Sequence, residues 1–329
     1  MKKTPLTVTA LLAAAALALT GCSGPSDEPA ATEDSTVDSS WPRTIEHELG
    51  STEIPEMPEN IISTSLTLTG SLLAIDAPIT ASATTVPSDI TDDNGFFSQW
   101  ADVAVERGVE SLYPSLEFDE EAVLAADPDL IIVSSSGNDS TADQYDALSA
   151  IAPTIVLNYG DTTWQDLAVT LGEATGHEEE ADAVIGDFDA RVAEVADAIT
   201  VPEGTANGIV WNGTENTTAF AKPGSSHAEL LESLGFSIEG APDEFDTSEQ
   251  TREDFAFLSI ENVTTALNGD VIFLISGGDA SEEDLLNTPV LSTAPAVANG
   301  QVYPLGPTSF RIDYYSASDI VDVIESDFA

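Results

Sequence analysis

The sequence contains very little cysteine, histidine, lysine or arginine. Its 329 residues include one cysteine, three histidines and eight lysines or arginines. A single cysteine cannot form an intrachain disulfide, so a disulfide framework is excluded. The histidines, His47, His177 and His227, are far apart and lack the spacing of a metal-binding motif. This argues against a protein that captures bare zinc or manganese through several histidines.

Motifs of several common enzyme classes are also absent. The chain contains no G-x-S-x-G turn, no G-x-x-x-x-G-K-[ST] phosphate loop and no H-E-x-x-H metal motif. The only cysteine, Cys22, belongs to an N-terminal processing pattern, which excludes Cys-based catalysis. We therefore expect a protein that is not an enzyme.

The chain is strongly acidic. It has 59 aspartates and glutamates, a formal net charge of −51 and a pI near 4.1. Such a surface repels nucleic acid, which is therefore not expected as a partner. Hydrophobic residues make up 42% of the sequence, which is typical of a folded globular domain. We interpret the excess of surface carboxylates as an adaptation to a saline environment.

The N-terminus has the pattern of a lipoprotein signal peptide. Two lysines precede an apolar stretch over 6–19, which suits a signal peptide better than a transmembrane helix. The stretch ends in Leu-Thr-Gly-Cys, the lipobox pattern, in which the cysteine receives diacylglycerol. We predict a signal peptide over 1–21, then the lipidated Cys22 and a flexible linker over 22–42. The alternative is an ordinary signal peptide with a chance cysteine.

The rest of the chain alternates β-rich runs with amphipathic segments, which is typical of parallel α/β layers. One segment, 178–199, has apolar residues at helical spacing throughout and predicts a single long helix. We predict an N-terminal α/β lobe over 43–176, a bridging helix over 177–200 and a C-terminal α/β lobe over 201–329. The predicted strands are 61–65, 79–84, 130–135 and 154–157, then 209–211, 219–222, 271–275 and 302–305.

Several runs resemble the periplasmic binding proteins for ferric enterobactin. The longest is 62–78, which begins Ile-Ser-Thr-Ser-Leu-Thr-Leu-Thr-Gly, and another is 310–317, Phe-Arg-Ile-Asp-Tyr-Tyr-Ser-Ala. Ala-Pro-Thr at 152–154 with Asn-Tyr at 158–159 also fits. The stretches 126–131 and 171–178 are shared more widely by siderophore, heme and cobalamin binders. The likeness covers the chain from residue 44 to the end.

The resemblance implies a class III periplasmic binding protein, with two Rossmann-like lobes of parallel sheets joined by one long helix. It also implies an extracytoplasmic, lipid-anchored monomer that captures a ferric siderophore, such as the catecholate ferric enterobactin, and delivers it to an ABC permease and its ATPase. The siderophore itself holds the iron, so no cofactor and no metal ligand from the protein are expected. The alternatives are an adhesion or sensory lipoprotein that reuses the fold, or a binder of another iron chelate, heme or cobalamin.

A ferric tris-catecholate carries a net charge near −3, so its site needs cationic donors, hydroxyl groups and flat aromatic surfaces. The resemblance places one arginine at the cleft, and it also implies a ligand-binding segment of the C-terminal lobe at the predicted strand 219–222. The other candidates stand at or just after the ends of predicted strands, where ligands of open α/β sheets bind. Ordinary structural roles stay open, such as a salt bridge from the arginine to Asp313 or Asp319. The predicted ligand-binding residues are Arg311, Lys222, Phe220, Tyr159, Trp211 and Ser65.

Two further features concern partners and ligand charge. In this class one glutamate of each lobe pairs with permease arginines, and the approximate internal repeat makes Glu121 and Glu261 the candidates. Asp89 stands in a loop where the enterobactin-type proteins carry an arginine, and a carboxylate there would repel a trianionic ligand. Either another cation substitutes, or the ligand is less anionic or differently shaped.

Overall fold

The computed structural model describes residues 41–248 and 252–329. The predicted signal peptide, Cys22 and most of the predicted linker lie outside the described residues. Within the described ranges, none of the helices combines the length and the apolarity needed to span a membrane.

The first half of the described chain forms a hairpin and a parallel sheet. The hairpin strands β1 (Arg43–His47) and β2 (Gly50–Ile54) are antiparallel. The sheet has five parallel strands in the order β5-β4-β3-β6-β7. We call this sheet and its helices the N-terminal lobe. Its elements are β3 (Ile61–Ser63), α1 (Leu66–Ala74), β4 (Ile79–Ser82), α2 (Ala101–Glu106), β5 (Glu110–Ser111), α3 (Glu120–Ala125), β6 (Leu130–Ser134), α4 (Tyr145–Leu148), β7 (Thr154–Leu157) and α5 (Trp164–Thr175).

A long helix, α6 (Glu178–Ala198), follows the N-terminal lobe. Three glutamates form its first turn, where negative charge is favourable to the helix dipole. Its apolar residues Ala181, Phe188, Val192 and Val195 are buried, as the helical spacing predicts. This face packs against α5.

The second half forms a mixed sheet, which corrects one part of the predicted fold. The strand order is β10-β9-β8-β11-β12, and β9 runs antiparallel to both β8 and β10. The connection 211–217 between β8 and β9 is too short for the crossover that a parallel pair requires. We call this sheet and its helices the C-terminal lobe. Its elements are β8 (Ala206–Val210), β9 (Thr218–Ala221), α7 (Ser226–Ser233), β10 (Phe255–Leu258), α8 (Ile260–Ala266), β11 (Val271–Leu274), α9 (Asp279–Leu286), α10 (Pro295–Asn299), β12 (Val302–Pro304) and α11 (Tyr314–Phe328).

Hydroxyl and carboxylate caps fix where several helices begin. Thr163 caps α5 as its position in the sequence predicts, and its side chain accepts a hydrogen bond from the Asp166 amide at 3.1 Å. Ser225 caps α7 by accepting from the Ala228 amide at 3.3 Å. The Ser-x-x-Glu pattern of Ser226 and Glu229 in the sequence predicts a cap at Ser226, one residue later than the structure has it.

One hydrophobic cluster runs through both lobes. It includes Leu72 of α1, Val192 of α6 and Phe328 of α11, all buried. Helix α11, which ends the C-terminal lobe, contacts both α1 and α6. The lobes are therefore joined by a packed interface in addition to the long helix, and a large rigid-body opening would expose part of this cluster to water.

Candidate functional site

The two lobes form the walls of a cavity of about 600 Å³. The N-terminal lobe contributes the loops after β6 and β7, 135–138 and 158–162, together with Thr67 and Ser71 of α1. The C-terminal lobe contributes 252–255 and Phe257, the start of α7 and the segment 310–313 before α11. The loops of the N-terminal lobe lie at the carboxyl ends of parallel strands, where open α/β sheets bind their ligands.

Arg311 is the central cation of this cavity. Its Nη1 donates a hydrogen bond to the Tyr159 hydroxyl at 3.1 Å, across the lobe interface. Its guanidinium also lies 5.4 Å from the centre of the Tyr159 ring and 5.8 Å from that of Phe310, within cation–π range. No carboxylate of the described residues lies within 4.0 Å of it, so neither Asp313 nor Asp319 forms the salt bridge considered above.

Arg311 differs in this respect from every other cation in the described part of the chain. Each of the others has a carboxylate partner within salt-bridge distance. The pairs are Arg43 with Glu178, Arg107 with Asp76, Arg191 with Glu194, Asp322 and Glu325, Lys222 with Asp246, and Arg252 with Asp254.

Arg252 is a cavity residue that the sequence did not reveal. Its Nε and Nη2 donate to the two carboxylate oxygens of Asp254 at 2.8 and 2.5 Å, a bidentate pair. These hydrogen bonds raise the pKa of Arg252, and its guanidinium lies 5.5 Å from the Phe257 ring centre. Strand β10, which follows directly, was not predicted, so no pattern in the sequence placed Arg252 near a strand end.

A buried carboxylate holds Tyr159 in place. The Tyr159 hydroxyl donates to Oδ1 of Asp139 at 2.6 Å, while Oδ2 of Asp139 accepts from Ser65 Oγ at 2.7 Å and from the Thr67 amide at 2.9 Å. Burial raises the pKa of Tyr159 to about 12, and the Asp139 charge adds to the effect, so the phenol stays neutral. A side chain at Gly137, whose φ is +77°, would overlap the Tyr159 hydroxyl.

Aromatic rings form part of the wall on the C-terminal lobe. Phe255 and Phe310 are stacked with their ring centres 5.6 Å apart and an interplanar angle of 14°. The His227 ring lies 5.2 Å from Phe255 and donates from Nε2 to the Ser309 carbonyl oxygen at 2.8 Å. Burial lowers the pKa of His227 to about 4, so this wall carries no histidine charge near neutral pH.

Asp313 joins the cavity wall to the lobe interface. It caps α11 by accepting from the Ser316 amide at 2.8 Å, and it also accepts from Gln99 Nε2 of the N-terminal lobe at 3.2 Å. Burial raises the pKa of Asp313 to about 6. Gly70 of α1 permits the close approach, because a methyl group there would lie 2.7 Å from Asp313 Oδ2 and 2.9 Å from the Trp100 ring.

Of the predicted ligand-binding residues, the structure brings Arg311 and Tyr159 together at the cavity. It does not bring Phe220 or Lys222 there. Phe220 lies fully buried in the core beside β8 and β10, because strand alternation directs its ring into the sheet packing. Lys222 donates to the Arg252 carbonyl oxygen at 2.7 Å and pairs with Asp246, so it supports the segment that carries Arg252.

Trp211 and Ser65 are also absent from the cavity lining. The Trp211 indole N–H donates to Asp284 at 2.6 Å and the ring packs in the core of the C-terminal lobe. Ser65 is fully buried as the cap of α1, which is the structural role that the sequence left open. Asp89 is exposed and does not line the cavity either.

The candidate docking residues lie on the surface, each in the first turn of a helix. Glu121 is on α3 in the N-terminal lobe, and Glu261 is on α8 in the C-terminal lobe. Both are exposed. A role in docking stays a prediction.

Two α/β lobes with a ligand-sized cavity between them define a solute-binding protein. The chain belongs to the periplasmic binding protein family, whose family model matches residues 61–308. The members of this family are binding proteins and not enzymes. The fold class predicted from the sequence is confirmed, apart from the antiparallel strands of the second sheet.

Individual relatives are consistent with the family. The chain is 42% identical over 291 residues to the ferric enterobactin-binding periplasmic protein FepB of Escherichia coli O6:H1. The aligned region covers 88% of this chain and 91% of FepB. The putative ABC transporter substrate-binding lipoprotein YhfQ of Bacillus subtilis is 25% identical, in an alignment that covers 99% of this chain and 98% of YhfQ. The crystal structure of holo-ViuP superposes with a TM-score of 0.82 at 41% identity, covering 88% and 96% of the two chains. The resemblance inferred from the sequence runs is thereby confirmed.

Proposed function

We propose that this protein is the extracytoplasmic binding component of an ABC importer and that it captures a ferric siderophore of the catecholate type. The observation that carries the proposal is Arg311, a half-buried guanidinium that faces the cavity with no carboxylate partner among the described residues. An arginine in this state is suited to an anionic ligand. The relative FepB, named for binding ferric enterobactin, supports the same ligand class.

The remaining cavity chemistry fits an aromatic chelate. Phe257 and Phe310, which are partly exposed, offer ring faces and edges to catechol rings, and the buried Phe255 supports Phe310 by stacking on it. Hydroxyl and amide groups of Thr67, Ser136 and the 158–162 loop line the opposite wall and can donate to catecholate oxygens. The siderophore itself would saturate the iron, so the protein need not supply a metal ligand. In the described ranges no three histidine, cysteine or acidic side chains gather as a metal site.

The transport partners belong to the same proposal. Cys22 would carry the lipid anchor at the outer face of the membrane. Glu121 and Glu261, exposed on separate lobes, would pair with arginines of the permease, which works with its ATPase. A monomer suffices for this arrangement, because each lobe supplies one contact.

The test is a fluorescence titration of the lipid-free protein in high salt. The ligands are a ferric tris-catecholate, a ferric hydroxamate, heme and cobalamin. We expect saturable quenching by the catecholate and a 10- to 100-fold weaker affinity in Arg311→Ala, about the effect of losing a hydrogen bond to a charged group. The matched control is Arg107→Ala, which removes an arginine outside the cavity and should leave binding unchanged.

Two outcomes would contradict the proposal. Binding of heme or cobalamin without any response to iron chelates would contradict the proposed ligand, although the protein could still be the binding component of an importer. Deletion of the gene with no loss of siderophore uptake, despite binding in vitro, would favour a sensory or adhesion lipoprotein that reuses the fold.

A further inference from the structure

The cavity holds more negative than positive groups. Its only cations in the described ranges are Arg252 and Arg311. The same lining includes the carboxylates Asp161, Glu253, Asp254 and Asp313. A site for a trianion would be expected to show the opposite balance, because each carboxylate near the ligand opposes binding.

The two arginines are not equally available to a ligand. Arg252 is held by both oxygens of Asp254, so a ligand anion would have to compete with an ion pair already formed. Arg311 is free of carboxylate contacts, but the Tyr159 hydroxyl that it contacts is bonded to Asp139. A single hydroxyl group therefore separates the carboxylate of Asp139 from Arg311, the only guanidinium of the described residues without a carboxylate partner.

No described loop supplies a replacement cation. Asp89, in the loop where the sequence resemblance expects an arginine, is exposed and outside the lining. Lys222, the one lysine among the described residues, pairs with Asp246. The net charge of −51 adds a long-range repulsion that grows with the charge of the ligand and is screened by salt.

We propose that the cavity selects a ferric chelate of low net charge, neutral or singly negative, over a trianionic tris-catecholate. Such a ligand still has catechol rings that can pack against Phe257 and Phe310, while neutral donor atoms replace some of the catecholate oxygens around iron. One unpaired guanidinium then matches the ligand charge. This inference rests on the proposed function and narrows its ligand class.

A matched series of chelates separates charge from shape. One tris-catechol ligand is loaded with Ga³⁺, which gives a net charge of −3, or with Ti⁴⁺, which has nearly the same radius and gives −2. A mixed-donor ferric catecholate of charge −1 extends the series. We expect affinity to rise about five- to tenfold for each negative charge removed at low salt, and the ratios to approach one in molar salt. Circular dichroism identifies the lowest salt concentration at which the protein stays folded, and the low-salt titrations are done there.

Two variants test whether the cavity carboxylates cause the selection. Asp254→Asn releases Arg252, and Glu253→Gln removes an exposed charge from the lining without touching that pair. Each should improve the affinity for the −3 chelate more than for the −1 chelate. Glu46→Gln, an exposed change on β1, is the control for the loss of one surface charge and should alter the ratio little.

The outcomes are distinguishable. Equal affinities for the Ga³⁺ and Ti⁴⁺ complexes at low salt, or tighter binding of the trianion, would overturn the charge selection and leave the proposed function standing. Absence of binding by every chelate at both salt concentrations would overturn the proposed function and this inference with it.

Discussion

Arg311, Tyr159 and Asp139 form a short hydrogen-bonded series at the centre of the cavity. The phenol hydroxyl accepts from Arg311 on one lobe and donates to the buried carboxylate on the other. A hydroxyl can serve both roles at once, which a phenylalanine cannot. Tyr159 therefore orients the guanidinium before a ligand arrives, so less of the side-chain freedom of Arg311 is lost on binding.

Replacing Tyr159 by phenylalanine tests this link. Tyr159→Phe leaves one oxygen of buried Asp139 without a partner, and we expect the free energy of unfolding to fall by about 1–3 kcal/mol. The control is Tyr303→Phe, which removes a half-buried hydroxyl bonded to Gln301 outside the cavity. Urea unfolding measures both variants. A loss no larger than that of the control would show that the Asp139 contact is not important for stability.

Helix α1 presents a glycine to the other lobe. The position of Gly70 lets Asp313 and Trp100 approach the helix backbone, and Asp313 in turn caps α11. Two helices of different lobes thus meet at a site with no room for a side chain. Helix α6 also contains a glycine, Gly186, but a methyl group there would have no neighbour within 4 Å.

The two glycines make a matched pair of substitutions. Gly186→Ala should stabilise the protein by about 0.5–1 kcal/mol, because alanine has the higher helix propensity and nothing obstructs its methyl group. Gly70→Ala gains the same propensity but places the methyl group against Asp313 and Trp100, so we expect net destabilisation of about 1–3 kcal/mol. Thermal unfolding of both variants checks the prediction. Equal stabilisation by the two changes would mean that the interface opens readily.

At the scale of the whole molecule, charge and packing act in opposite directions. A net charge of −51 favours expansion through self-repulsion, while the continuous hydrophobic cluster across both lobes favours a compact state. The packed interface resists separation of the lobes and helix α6 resists bending. We therefore expect the lobes to move little toward each other on ligand binding and the cavity to be largely preformed.

The acidic composition predicts stability that depends on salt. Screening shortens the range of carboxylate repulsion from about 10 Å at 0.1 M salt to about 3 Å at 1 M. We therefore expect the urea midpoint to rise between 0.1 M and 2 M KCl. A series in sucrose at matched water activity controls for general exclusion effects. A midpoint that is the same in dilute buffer and in molar salt would contradict the interpretation of the charge as an adaptation to salinity.

The sequence by itself determined the fold class, the acidic surface and two residues of the cavity. Hydrophobic periodicity is a local property, so the long helix and most strands could be read from it. Arg311 and Tyr159 could be placed because they lie in runs that resemble a known family, next to a helix start and a strand end. The buried Asp139 and the paired Arg252 had no such signal.

Tertiary structure decided which side chains share the cavity. Phe220 and Trp211 follow the pattern of ligand-facing aromatics in the sequence, yet strand direction and sheet order turn both into the core. Arg252 and Arg311 are distant in sequence and line the same cavity only because the fold brings the segment before β10 and the segment before α11 to one wall. Pairing of charges likewise depends on distances between elements, so only the folded chain reveals that Arg311 is the described cation without a carboxylate partner.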